Sequence, residues 1–196
     1  GQGLLVKEGR IAEAVLADWR HQGIVCIAVP ETTRALGAIA AFHRQRLSTR
    51  VVALTGSNGK TTTRAMTAAI LERKGPTLAT RGNLNNEIGL PLTLLQLQEA
   101  HTMAVVEMGM NHPGEIDRLG QMATPDIGMI INVAPAHLEG LHTIEGVMRA
   151  KGELLRHIRS QGRAILNADN EHCLRLAEDC PVEPLLFGFG PEAAVR

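Results

Sequence analysis

With 196 residues the chain can form one large or two small domains around a sizeable core. Its 20 basic and 20 acidic residues cancel, so bulk charge draws it to neither nucleic acid nor a membrane surface, and any anion site must be local. Cys26, Cys173 and Cys180 are widely spaced and form no CxxC pair, which argues against a disulfide framework or a zinc site and favours a reducing cytoplasm. No apolar run approaches the roughly 20 residues of a membrane span. The chain opens on Gly1-Gln2-Gly3, without a Met or a leader pattern, and is expected to begin inside a larger protein.

In chain order, Leu4-Leu5-Val6 predicts a strand and residues 10–21 a helix, with Ile11, Val15, Leu16 and Trp19 at helical spacing and Gly23 at its end. Residues 24–29 form a continuous apolar strand broken by Pro30. Thr32 or Thr33 is expected to cap a helix to about Arg46, with Leu36, Ile39, Ala40 and His43 as its inward stripe. Polarity rises at residues 47–49, where a domain boundary is expected. Beyond it come a strand from Val51 to Thr55, a glycine turn, and a helix from Lys60 to about Lys74 stopped by Gly75-Pro76. Residues 77–80 form a short strand, residues 81–87 a polar run, and residues 88–97 a helix with Pro91 in its first turn. A strand over 102–106 ends on Glu107, and Asn111 is expected to cap a helix to Met122. Residues 126–133 are a strand, 134–141 a loop, and Thr143 caps a long helix to about Arg159. A strand at 164–166, a helix from Asp169 to Ala177 and a strand at 184–187 close the chain.

Alternating units with near-continuous apolar strands predict an α/β fold, a mostly parallel sheet flanked by helices. In such a sheet ligands bind at the carboxyl ends of the strands. Gly56 to Thr61, Asn85-Asn86, Glu107 and His137 all follow a predicted strand and are expected to converge there.

Gly56-Ser57-Asn58-Gly59-Lys60-Thr61-Thr62 has the chemistry of a polyphosphate site. Two glycines turn amide N–H groups inward, the new helix adds its positive end, Lys60 adds a charge, and Thr61 offers a hydroxyl to magnesium. The general phosphate-loop spacing would put a glycine where Leu54 stands; this form is the compact Gly-x-x-Gly-Lys-Thr. Glu107 is placed either to hold a phosphate-bound magnesium or to cap a helix. His137 is either a ligand for a metal or phosphoryl oxygen or a surface residue, and His112 and His142 are weaker candidates. Asn85 and Asn86 could orient phosphate or an acyl group, or form a turn and a helix cap. Lys151, within a helix, reads on its own as a solvated lysine.

Taken together, these motifs resemble the Mur ligases, the ATP-dependent family that adds amino acids to the cell-wall precursor. The resemblance rests on residues 55–62, on 82–95 (Gly-Asn-Leu-Asn-Asn-Glu-Ile-Gly-Leu-Pro-Leu-Thr-Leu-Leu), on 107–116 (Glu-Met-Gly-Met-Asn-His-Pro-Gly-Glu-Ile), on 132–140 and on Ala150-Lys151-Gly152-Glu153, in the family's order. It implies that residues 1–47 end an N-terminal UDP-sugar domain and 48–196 form most of a central ATP-binding domain, with a third, C-terminal domain not included. It further implies ATP held by residues 56–62 and a first Mg²⁺ on Thr61 and Glu107. A second Mg²⁺ would lie on His137 and a carbamylated Lys151, with Asn86, and less surely Asn85, orienting the phosphate. The asparagine-rich motif and the 134–140 loop favour the branch that joins D-alanyl-D-alanine to UDP-N-acetylmuramoyl-tripeptide through an acyl phosphate, acting as a cytoplasmic monomer. Another Mur ligase, a folylpolyglutamate synthetase-like ligase and a non-catalytic ATP-binding unit are the alternatives.

Overall fold

The computed structural model describes residues 3–196 and contains two parallel sheets. The small one pairs β1 (Gly3–Lys7) with β2 (Val25–Val29), connected by helix α1 (Glu13–His21). The large one has six strands in the order β4-β5-β3-β6-β7-β8, every pairing parallel. Its strands are β3 (Arg50–Thr55), β4 (Thr77–Ala79), β5 (Met103–Glu107), β6 (Ile127–Ile130), β7 (Arg163–Asn167) and β8 (Pro184–Phe187). The central strands are dry on both faces: Val51, Ala53, Leu54, Ala104, Val105 and Val106 have no exposed surface. That explains their unbroken apolar runs, because helices cover the sheet on either side.

Helix α2 (Thr32–Gln45) ties the two sheets together, with Ala40 part of the main core. Two expectations for it change. Its cap is Glu31, whose carboxylate accepts the Thr33 N–H, and its buried face is Gly37, Ala40 and Arg44, while Ile39 is 44% exposed. Close approach selects that face: a Cβ on Gly37 would lie 2.8 Å from Met122 Cε.

Helices α3 (Lys60–Glu72) and α4 (Gly89–Leu94) follow the expected positions, α4 being shorter at both ends. Helix α5 (Glu115–Ala123) is capped by Gly114 at φ 82° instead of Asn111, whose own N–H donates to Glu115 Oε2. The expected long helix after Thr143 is α7 (Ile144–Gly152) followed by a turn of 3-10 helix (Glu153–His157). The break has a purpose in packing, since Glu153 accepts the N–H groups of Gly114 and Asp117 at 2.8 and 3.0 Å and so satisfies the start of α5 from a distant segment. Between β6 and α7 lies the short α6 (Leu138–Leu141). Helix α8 (Glu171–Glu178) is capped by Asn170, one residue later than expected, while Asp169 accepts the N–H groups of Phe189 and Gly190. No helix among the described residues is long and apolar enough to cross a membrane, and all three cysteines are free thiols.

Candidate active site

The phosphate-loop motif sits where the sheet order reverses. From β3 the chain crosses to one side, towards β4, and from its neighbour β6 to the other, towards β7, which opens a crevice at their carboxyl ends. Strand β3 runs through Thr55, so the turn has only residues 56–59, with Gly59 at φ 77° leading into α3. A Cβ on Gly56 would lie 3.1 Å from Ile131 Cβ, so the turn can pack this closely only with glycine there. The N–H groups of Gly59, Lys60, Thr61 and Thr62 donate to no protein group among the described residues. They form a cradle at the positive end of α3. Lys60 Nζ folds back over it to donate to Gly56 O at 2.9 Å.

Beside this cradle Glu107 ends β5, paired in register with Leu54 and 2% exposed. Thr61 Oγ1 donates to its Oε2 at 3.2 Å and Asn85 Nδ2 to its Oε1 at 2.9 Å, while its own N–H donates to Thr80 Oγ1. Arg64 also reaches Oε2, at 3.5 Å, and donates to Gly82 O at 2.9 Å. Sequence reasoning passed over Arg64. The available signal was its place three residues after Thr61 and four after Lys60, on the same helix face. The two asparagines divide the alternatives between them. Asn85 joins the carboxylate, and the Asn86 oxygen caps α4 by accepting from Ile88 and Gly89 N–H. Asn86 also lines a cleft of about 330 Å³ with Glu87, Gly109, Asn111 and Glu115.

The third component comes from the far side. His137 begins α6 in the left-handed region at φ 54°, a conformation that non-glycine residues adopt chiefly where the surroundings hold them to it. With His112, Leu138 and Glu139 it lines a cleft of about 560 Å³, which His142 does not reach. Lys151, expected from its residues alone to be solvated, is 2% exposed. Burial, and then the charge of Lys60, pulls its pKa down from the usual lysine value to about 7. Burial also lowers His137, followed by the charges of Lys151 and Lys60. The charges of Lys60 and Lys151 thus oppose one another and that of His137, which precedes α6, and no acidic side chain pairs with Lys60 or Lys151 among the described ion pairs. Burial raises the neighbouring Cys173 thiol to about 11.

Two sites for magnesium can be tested against these donors. A hydroxyl and a carboxylate oxygen 3.2 Å apart at the rim of an amide cradle are hard oxygen donors that fit a phosphate-bound Mg²⁺. Among the described residues no three acidic, His or Cys side chains cluster. Around His137 and Lys151 the fit depends on chemistry at the lysine: as an amine it offers no anionic oxygen, as a carbamate it offers one.

Residues 54–196 match the Mur ligase middle domain. The UDP-N-acetylmuramoyl-tripeptide--D-alanyl-D-alanine ligase of Haemophilus influenzae is 43% identical over 171 residues, covering 85% of this chain and 37% of that protein. A crystal structure of MurF from Acinetobacter baumannii superposes with a TM-score of 0.85 at 39% identity, over 97% of this chain and 40% of that one. The MurF ligase of Thermotoga maritima in complex with ADP gives 0.80 at 30% identity, over 96% and 47%. The chain spans about a third of the length of the curated relatives it matches. The family match covers well over half of the chain, and the chain belongs to the Mur ligase family.

Proposed function

We propose that the protein carrying this chain is an ATP-dependent ligase that joins D-alanyl-D-alanine to UDP-N-acetylmuramoyl-tripeptide by way of an acyl phosphate. Curated relatives at 40–49% identity are named as ligases of those two substrates. The carrying observation is the Thr61–Glu107 pair at the rim of four free amides, with a buried lysine beside it. Carboxylates are poor acyl donors, and transfer of the γ-phosphoryl group of ATP supplies a leaving group. The tripeptide carboxylate attacks phosphorus, ADP departs, and the amine of D-alanyl-D-alanine then displaces phosphate from the acyl carbon. Residues 56–62 bind the nucleotide phosphates, and Lys60 swings from Gly56 O to neutralise charge growing on the phosphoryl oxygens. Thr61 and Glu107 would hold one Mg²⁺ and His137 with Lys151 a second; these ions supply further charge neutralisation when bound. Asn85 fixes the Glu107 carboxylate, and Asn86 faces the adjoining cleft.

The reading extends to Lys151 as a carbamate. A neutral amine is the form that adds CO₂: the nitrogen lone pair forms the N–C bond, one C=O electron pair moves to oxygen, and a proton is lost. A pKa near 7 keeps a good share of Lys151 in that form. We place residues 1–47, which contain the separate small sheet, at the end of a UDP-sugar domain and residues 48–196 in the ATP domain. A cytoplasmic monomer completes the proposal.

The test is phosphate release by the full-length protein. Release should require ATP, Mg²⁺, the UDP-tripeptide and D-alanyl-D-alanine together, and Lys60→Ala should slow it roughly 100-fold or more. Near-normal turnover in Lys60→Ala, or turnover with a folate and glutamate in place of the two substrates, would refute it.

A further inference from the structure

The phosphate loop divides its backbone donors between two tasks. Four N–H groups, from Gly59 to Thr62, are free. The two before them are not: Ser57 and Asn58 both donate to the side-chain oxygen of Asn132, at 2.9 and 3.0 Å, and Ser57 N–H is shared with the Asn132 backbone carbonyl at 3.1 Å. The Asn132 amide completes the ring by donating to Asn58 O at 3.1 Å. Next to it Ser57 Oγ donates to Ala134 O at 2.8 Å and accepts the Ala134 N–H at 2.9 Å. Asn132 stands just beyond β6, 75 residues from Ser57, and reaches the loop because Gly56 lets the two backbones come close.

We propose that Asn132 is a positioning residue for the phosphates of ATP. It touches the loop and leaves phosphate binding to the next four amides. A turn of only four residues has too few internal partners to hold Ser57 and Asn58 in place. The carboxamide supplies those partners from outside, as acceptor for two amides and donor to one carbonyl. A loop already held in its binding shape does not have to be ordered by its ligand. The same contacts fasten the loop to the segment that leads to His137, so the phosphate cradle and the histidine loop form one body. This inference deepens the ligase reading and rests on it for the identity of the ligand.

Amide hydrogen exchange on the nucleotide-free chain tests the brace without any appeal to activity. Ser57 and Asn58 should be protected in the native chain; in Asn132→Ala, Asn58 should lose protection with little change in Tm, while Ser57 keeps the backbone carbonyl of residue 132. Asn132→Asp, which keeps both acceptor contacts, should retain the protection. Calorimetry with ATP and Mg²⁺ then tests the consequence: Asn132→Ala should bind roughly tenfold more weakly. Ser57→Ala, which removes only the Ala134 contacts, should bind roughly threefold more weakly, and Asn132→Ser, whose shorter side chain cannot reach both amides, provides the test if Asn132→Ala fails to fold. Unchanged exchange at Asn58 in Asn132→Ala overturns the proposal. So does equal or tighter nucleotide binding, which would make the carboxamide a stand-in that phosphate displaces. A native chain with protected amides and no affinity for ATP would instead overturn the function proposed above.

Discussion

Among the described residues an arginine and a lysine are buried, and they are treated in opposite ways. At the amino edge of the large sheet Arg44 has no exposed surface; two of its guanidinium nitrogens are hydrogen-bonded, and the third faces a carboxylate without a hydrogen bond. It donates to Ala123 O and Leu47 O at 3.2 Å each and faces Asp126 at 3.6 Å, while Asp126 itself accepts the Val51 N–H. Beside the phosphate loop Lys151 is buried to almost the same degree, yet it has Lys60 for a neighbour and no acidic partner among the described residues. Burying a charge is costly unless partners are provided. Arg44 has partners within the fold and acts as a bolt; Lys151 lacks them and keeps its charge only weakly. The second arrangement makes sense if its partner comes from outside the chain.

The comparison breaks first at Arg44. Arg44→Met leaves two buried carbonyls without donors and Asp126 without its inner partner, and should lower unfolding stability by about 2–4 kcal/mol. Urea denaturation measures this, and ATP affinity of the folded fraction should be unchanged. Lys151→Met should do the reverse. Removing a lysine whose charge the fold opposes should raise stability by roughly 0.5–2 kcal/mol and abolish phosphate release by the full-length protein. A loss of stability in Lys151→Met would mean that the lysine is already satisfied and the contrast is false.

That contrast was hard to read from residues. The apolar runs of β3 and β5 marked buried strands, and residues just after them, Lys60, Thr61 and Glu107, could be placed at one edge because strand ends are visible in sequence. The inner face of α2 was misjudged because counting apolar side chains selects Ile39, whereas packing selected Gly37 and an arginine. Arg44 finds its acceptor 79 residues away, and no local pattern announces that. The same holds for the Glu153 carboxylate that serves α5, and for Asn132, whose contact with Ser57 spans 75 residues. Lys151 was recognisable only through the resemblance of its motif, since its helix shows the ordinary mixture of polar and apolar positions.

The stability curve against pH assigns the Lys151 effect to its charge. The folded pKa, about 7, lies below the ordinary value of 10.5. Between those two values the unfolded chain binds a proton at this amine that the folded chain does not. Stability must therefore rise with pH across that window, with the penalty complete below pH 7. Other groups titrate too, so the informative quantity is the difference between the native chain and Lys151→Met. The advantage of the variant should be largest below pH 7 and fade towards pH 10.5. A constant difference would trace the gain to packing instead.

Arg159 offers the smallest effect and the sharpest control on the amino edge. It lies 3.6 Å from the other oxygen of Asp126, so a drawing of the network would give it the same rank as Arg44. Physically it is unlike Arg44: its side chain is 46% exposed, and it also repels Arg44, whose pKa is lowered first by burial and then by this neighbour. Losing a screened attraction to Asp126 while relieving a repulsion on Arg44 should leave Arg159→Ala within about 0.5 kcal/mol of the native chain. What remains should shrink as salt is added, whereas the Arg44→Met deficit, made of buried hydrogen bonds, should persist. A deficit in Arg159→Ala as large as that of Arg44→Met would show that the three charges act as one unit, and Arg44 would lose its separate standing as the buried bolt.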